Sequence, residues 1–134
     1  MKIYVLDASA LFVFLQKKPS APKVGDLFKD ALRGRAEVLM SAVNCGEVYG
    51  AILREHGPDR ATSAIGAIHP LPIQLMDATF QRAMHASDIK FRHNLYYVDS
   101  FAAALALEFK ATLVTSDSDF RSAGNTISIL WLKN

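Results

Sequence analysis

Residues 3–8 read Ile3-Tyr4-Val5-Leu6-Asp7-Ala8, and residues 112–119 read Thr112-Leu113-Val114-Thr115-Ser116-Asp117-Ser118-Asp119. Each stretch is a short β-type run that ends on a carboxylate. Two such runs, one near each end of the chain, predict a parallel sheet whose strand ends collect negative charge. In open α/β sheets the crevice beyond the carboxyl ends of the strands is where ligands bind. Hard oxygen donors gathered there point to a divalent cation, Mg²⁺ or Mn²⁺.

Between these runs the chain alternates strand and helix. Residues 2–6 form the first strand, and 9–16 read as a helix with Ser9 as its N-cap. Lys17-Lys18-Pro19-Ser20 breaks it, and 21–33 carry Val24, Leu27, Phe28, Ala31 and Leu32 at helical spacing. A strand is expected over 37–40, a long helix over 42–55 closed by Gly57-Pro58, and a further helix over 58–68. Residues 73–76, led in by Pro70 and Pro72, suit an edge strand. Asp77 is placed to cap a helix running to about Phe91, with a turn at Arg92-His93-Asn94. Residues 98–110 are apolar nearly all round, which predicts a buried helix. The last strands fall at 112–115 and 127–132. Strands separated by helices give right-handed βαβ units. The expected fold is therefore α/β, with three α/β/α layers and a central, mainly parallel sheet of four to five strands.

The 134 residues fit a single domain, 1–134. Just over half are hydrophobic, enough for a core without staples. The one cysteine, Cys45, excludes an internal disulfide and suits a reducing cytoplasm. No signal-peptide pattern and no span-length apolar run is present, so no membrane role is expected. A formal charge of +2 permits nucleic acid without requiring it.

Taken singly, most of the acids have a plain structural explanation. Asp7, Asp99 and Asp117 each stand where a helix could begin, and capping accounts for any one of them. Glu47 is harder. It lies mid-helix next to Gly46, flanked by Val43, Gly50, Ala51 and Arg54 at spacings of three, four and seven. Either it pairs with Arg54 on a solvated face, or it is an inward carboxylate that needs a cation. Two glycines inside that helix each cost roughly 1 kcal/mol relative to Ala, which close packing near Glu47 would offset. Asp99 opens an almost wholly apolar helix just after Leu95-Tyr96-Tyr97-Val98, at a buried helix mouth. His56, His69, His85 and His93 are scattered without ligand spacing, and Cys45 reads as a small core residue.

Four segments together resemble the PIN domain family, and within it the VapC-type toxins of toxin–antitoxin pairs. They are Val5-Leu6-Asp7-Ala8-Ser9-Ala10-Leu11, Ser41-Ala42-Val43-Asn44-Cys45-Gly46-Glu47-Val48, Tyr97-Val98-Asp99-Ser100-Phe101-Ala102-Ala103-Ala104 and Leu113-Val114-Thr115-Ser116-Asp117-Ser118-Asp119-Phe120. Each is weak alone, but their order and spacing cover nearly the whole chain. The resemblance implies a PIN-like fold and a metal-dependent endoribonuclease, the toxin of a type II pair. It implies Asp7, Glu47, Asp99 and Asp117 as catalytic metal ligands for one or two Mg²⁺ or Mn²⁺ ions. Asp119 is a fifth acid in a motif that varies across the family. Ser9 and Thr115 match supporting hydroxyl positions. A homodimer, a small antitoxin partner and an RNA substrate are implied with it.

The chemistry agrees, since phosphodiester hydrolysis needs an activated water and charge neutralisation on the phosphoryl group. Arg54, Arg60, Lys90, Arg92, His93 and Arg121 could line a path for phosphates, or simply form a solvated surface. Arg54, two turns after Glu47, is the first choice for a substrate contact. A phosphoacceptor receiver domain has similar length and alternation. It expects an acidic pair near the first strand and a lysine after the last strand of its site, and neither is found. An aspartate-nucleophile phosphatase needs a second Asp where Ser9 stands. A PIN-fold housekeeping nuclease, or a binding module without an antitoxin, also stays open.

Overall fold

The computed structural model describes residues 1–133. Strand β1 (Lys2–Leu6) is the centre of a five-stranded sheet. Around it lie β2 (Ala36–Ser41), β3 (Gln74–Met76), β4 (Thr112–Thr115) and β5 (Ile129–Trp131). The order is β3-β2-β1-β4-β5, and every pairing is parallel. The sheet is thus wholly parallel, and the proline-led β3 is an edge strand as its sequence suggested.

The same order explains the layers. Right-handed crossovers from β1 to β2 to β3 stack their helices on one face. Those are α1 (Ala8–Leu15), α2 (Ala21–Leu32), α3 (Ala42–His56) and α4 (Pro58–Ile68). The return from β3 to β4 passes to the far side of β1. It runs the opposite way, so α5 (Phe80–His93) and α6 (Tyr97–Glu108) cover the other face. Strand alternation feeds both cores. Val5, Leu39 and Leu113, in register with one another, pack under α5 and α6. Leu6, Met40 and Val114, one residue on, pack under α1 and α2.

Helix α6 is buried along most of its length, as its composition predicts. Its one buried hydroxyl, Ser100 Oγ, donates back to the Tyr96 carbonyl at 2.9 Å, so no donor is stranded. At the other helix ends Gly57 (φ +86°) joins α3 to α4, and Asn94 (φ +54°) ends α5 in the left-handed region.

Three expected caps change. Helix α1 is capped by Asp7 rather than Ser9: the Asp7 carboxylate accepts from Ala10 N at 2.9 Å, while the Ser9 hydroxyl is spent on Asp7 itself. Helix α5 starts at Phe80 under Thr79, whose hydroxyl accepts from Arg82 N. Asp77 offers only its backbone carbonyl, to the Arg82 guanidinium. Helix α6 begins two residues before Asp99, which therefore lies in its first turn and does not cap it. A 3₁₀ helix over Ser118–Ala123, not anticipated from the sequence, follows β4. Its fully buried Phe120 plugs into the core beneath α6.

Phe120 therefore anchors the segment that carries Asp117 and Asp119. Phe120→Ala should destabilise the fold by roughly 3–5 kcal/mol, the usual cost of emptying a buried aromatic site. Urea unfolding would read this as a lower midpoint; a change under about 1 kcal/mol would show that the 3₁₀ segment is not held through this ring.

Candidate active site

The topology reverses between β1 and β4, so the crevice at the carboxyl ends of these two strands is the switch point of the sheet. Asp7 follows β1 directly, and Asp117 follows β4 after one residue. Glu47 reaches the same crevice from α3 and Asp99 from the first turn of α6. A groove of about 440 Å³ is lined by all four, with Ser9, Gly50 and Arg54 alongside.

Asp7 is the buried member. Its Oδ1 accepts from Ser9 Oγ (2.7 Å) and Ala10 N (2.9 Å), and its Oδ2 accepts from Thr115 Oγ1 (2.6 Å). Each hydroxyl has a single proton, and both are spent on this carboxylate. The same hydroxyls accept in turn: Thr115 Oγ1 from Asp117 N, Ser9 Oγ from Ser116 N, both at 2.9 Å. Thr115 thus ties the carboxylate after β1 to the backbone of the acid after β4. Asp117 in turn accepts from Asp119 N at 2.9 Å and caps the 3₁₀ helix.

The tightest group of acids is Asp99, Asp117 and Asp119, each with an oxygen within 4.8 Å of the others. Asp7 and Glu47 line the groove beside this triad rather than within it. Glu47 is exposed at the groove, and no ion pair joins it to Arg54 among the described residues. Gly46 and Gly50 do not pack closely, since a Cβ at either meets nothing within 4 Å. Their helix cost is not recovered by contact; at Gly50 it leaves bare backbone along the groove. Arg54 lines the groove, whereas Arg60, Lys90, Arg92, His93 and Arg121 lie outside it.

One residue escaped the sequence reading. Asn44 is fully buried on α3, and its Nδ2 donates to the Val98 carbonyl at 3.0 Å. It clasps α3 to the start of α6, one residue from Asp99. Its Oδ1 has no partner among the described residues. An amide three residues before Glu47 inside an otherwise apolar stretch was the available signal.

The PIN domain family model matches residues 4–125. The chain belongs to the PIN domain family. Its fold is also shared with solved toxin–antitoxin structures. A chain of the promoter-DNA-bound VapBC2 complex of Rickettsia felis superposes with TM-score 0.77 at 16% identity, covering 98% of this chain and 99% of that one. DNA-bound VapBC from Salmonella typhimurium gives 0.73 at 17%, covering 97% and 98%. VapC20 of Mycobacterium tuberculosis, described as a sarcin-ricin loop cleaving toxin, gives 0.71 at 19%, covering 90% and 95%. No curated protein matches the sequence. No helix among the described residues is long and apolar enough to cross a membrane.

The electrostatics of this PIN site are those of acids in excess over countercharge, four carboxyls to the one Arg54 on the lining. Burial pushes Asp7 up to about 6 against the pull of its Thr115, Ser9 and Ala10 hydrogen bonds. Asp99 rises to about 7, through burial first and then Asp117, Glu47, Asp7 and Asp119. Burial raises Glu47 as well, opposed by the Asn44 amide and reinforced by Asp117. The donor set is all hard oxygen and carries an excess of negative charge, so it fits a divalent cation.

Two outcomes are expected. In metal-free protein these carboxyls should burden the fold least below about pH 4, where they are protonated in both folded and unfolded chains. Their raised folded values mean that the unfolded chain loses protons first, so stability falls as pH rises towards 6–7 and levels off above. Urea unfolding in EDTA from about pH 4.5 to about pH 8 checks the slope, and Asp99→Asn should flatten it. Thr115→Val removes the bridge between Asp7 and Asp117 and should weaken cation affinity roughly 10- to 100-fold, as loss of a ligand-orienting group does. Unchanged Mn²⁺ affinity in calorimetry would remove Thr115 from that role.

Proposed function

We propose that this chain is a single PIN domain, residues 1–134, that cleaves RNA as a metal-dependent endoribonuclease and serves as the toxin of a type II toxin–antitoxin pair. The observation that carries the reading is the switch-point groove: acids from four separate elements converge there, Asp99 is driven to about 7, and among the described residues Arg54 is the only cation on the lining. A protein does not gather such charge for stability.

In this reading Asp7, Glu47, Asp99 and Asp117 are the catalytic acids, and with Asp119 they would hold one or two Mg²⁺ or Mn²⁺ ions. The cation supplies charge neutralisation at the phosphoryl group and an activated water for the attack. The chain's own residues prepare the ground. Ser9 and Thr115 hold both Asp7 oxygens and favour its ionised form. Asn44 fixes the spacing between the helices that carry Glu47 and Asp99. Arg54 meets the phosphate, where its planar fork suits paired oxygens. Gly50 leaves room for the backbone of a bound strand.

The toxin assignment is supported by what the similar structures are. Two are VapBC complexes, and VapC20 is a sarcin-ricin loop cleaving toxin. We extend to this chain a cytoplasmic setting, a homodimer and a small antitoxin that enters the groove. A short DNA-binding protein encoded next to it separates the toxin from a housekeeping nuclease or a binding module.

Purified protein should cut single-stranded or looped RNA with Mn²⁺ and stop with EDTA, leaving duplex intact because its bases stay stacked. Cleavage that persists in EDTA would refute the metal mechanism. Asp117→Asn should cost on the order of 10²-fold or more, the scale of losing one charge-stabilising group. Asp119→Asn should cost less, because Asp119 is exposed and holds no other acid in place. Glu47→Gln should weaken Mn²⁺ binding without unfolding the protein; an intact Mn²⁺ titration would take Glu47 out of the ligand set.

A further inference from the structure

Beside the acid groove lies a second cavity, of about 490 Å³, between the end of α5, the connection to α6 and the 3₁₀ helix. Its lining includes Lys90, His93, Asn94, Tyr96, Asp119 and Ser122. Asp119 belongs to both places, because its carboxylate also lies within 4.8 Å of those of Asp99 and Asp117. The two sites therefore share a wall.

Tyr96 is the unusual residue here. Its side chain is 72% exposed, although the backbone that carries it is firmly held. Leu95 before it is buried in the core beneath α5 and α6. The Tyr96 carbonyl accepts from both Ser100 N (3.0 Å) and Ser100 Oγ (2.9 Å). The His93 carbonyl accepts from Ser122 Oγ at 2.8 Å, which fastens the connection to the 3₁₀ helix. Its neighbour Tyr97 is used in packing, edge-on to Phe101 at 5.1 Å between centroids. Tyr96 makes no such pair among the described residues. It also caps α6 without a side-chain hydrogen bond, so its ring has no structural duty.

An exposed aromatic on fixed backbone with a lysine beside it is the composition that single-stranded nucleic acid selects: a π-face for the base and a cation for the backbone. Lys90 has no carboxylate within 4.0 Å among the described residues, so its charge is free. Leu95 is the one aliphatic residue on the cavity lining, and the polar groups around it disfavour an apolar peptide anchor. Its size is that of a small-ligand cleft, roughly 300–1,000 Å³.

We infer that this cavity is a nucleobase subsite: the ring of Tyr96 stacks an unpaired base next to the phosphodiester held at the carboxylates, and Lys90 contacts the phosphate beyond it. The inference rests on the ribonuclease reading and adds to it a residue that selects for unstacked RNA. A base inside a duplex cannot leave its neighbours to lie on Tyr96 without breaking pairing, so the subsite favours loops and single strands.

The test measures binding in an Asp99→Asn background, where cleavage is disabled, by fluorescence anisotropy of a single-stranded oligoribonucleotide with Mn²⁺. Tyr96→Ala should weaken binding about tenfold, within the range known for one base on one aromatic ring. Tyr96→Phe and Tyr96→Trp should bind like the parent, and none should shift the melting curve. Lys90→Ala should lower the slope of log affinity against log salt by about one. An oligonucleotide with one abasic position is scanned along the strand. At one position the missing base should cost the parent about as much as Tyr96→Ala does and cost Tyr96→Ala nothing further, a coupling that general loosening of the loop cannot produce. Equal RNA affinity for parent and Tyr96→Ala overturns the subsite while the ribonuclease reading stands. So does an effect of Tyr96→Ala on self-association alone, which would make the ring a protein contact. Absence of RNA cleavage by the wild-type protein overturns the ribonuclease reading and the subsite with it.

Discussion

Leu6 pairs with Val114, and that one register between β1 and β4 brings the Asp7 carboxylate to the Thr115 hydroxyl, 2.6 Å away. Most of the site geometry hangs on this contact. Thr115 donates to the acid after β1 and accepts from the backbone N–H of the acid after β4, so the two are held as one unit. Ser9 repeats the pattern one layer out, donating to Asp7 and accepting from Ser116 N. A slip of one residue would turn Thr115 to the opposite face and leave Asp7 buried without its hydroxyl partners. The hydrophobic alternation of β1 and β4 forbids that slip, because it would also exchange Leu113 and Val114 between the two cores. Core packing and active-site geometry are therefore enforced by the same register.

The groove places function against stability. Burial first, and then the crowding of Asp117, Glu47, Asp7 and Asp119, make ionisation of Asp99 harder and push its carboxyl up to about 7. The rest of the molecule compensates by conventional means. Two continuous cores sandwich the sheet, and helix α6 is almost entirely buried. The 3₁₀ segment is pinned by Phe120, and α5 is tied to α6 by the Arg82–Glu108 pair, both nitrogen–oxygen distances 3.0 Å. Ligand binding at the groove acts on a scaffold that is already rigid on both sides of it.

Much of this was legible from the chain alone. Acids at the ends of short β runs marked the strand termini, and strand–helix alternation led to a doubly covered parallel sheet. The four acids of the motif line one groove. What sequence could not carry was the competition between near neighbours for one role. Asp7 and Ser9 both suit a helix start; the carboxylate wins because the hydroxyl is drawn onto it. Thr79 displaces Asp77 for a similar reason of reach. Gly46 and Gly50 suggested tight packing, yet both face open space. The buried clasp of Asn44 on Val98 joins residues 54 apart, and no local pattern encodes such a contact. Asp119 is the fifth acid in a motif that varies, so its share could not be read from sequence; the turn of the 3₁₀ helix carries it into a cluster with Asp99 and Asp117.

The hydrogen bond between Asp7 and Thr115 joins residues 108 positions apart in a chain of 134. During synthesis Asp7 and Glu47 are made long before the strand that completes their crevice, and Asp99 shortly before it. A nascent chain lacking β4 holds three of the acids, but neither the wall between them nor the fourth. A chain halted upstream of residue 112 lacks Asp117, Asp119 and the Thr115 hydroxyl that holds Asp7. If the finished protein attacks RNA, fragments from translation interrupted before β4 lack the wall that holds its acids together.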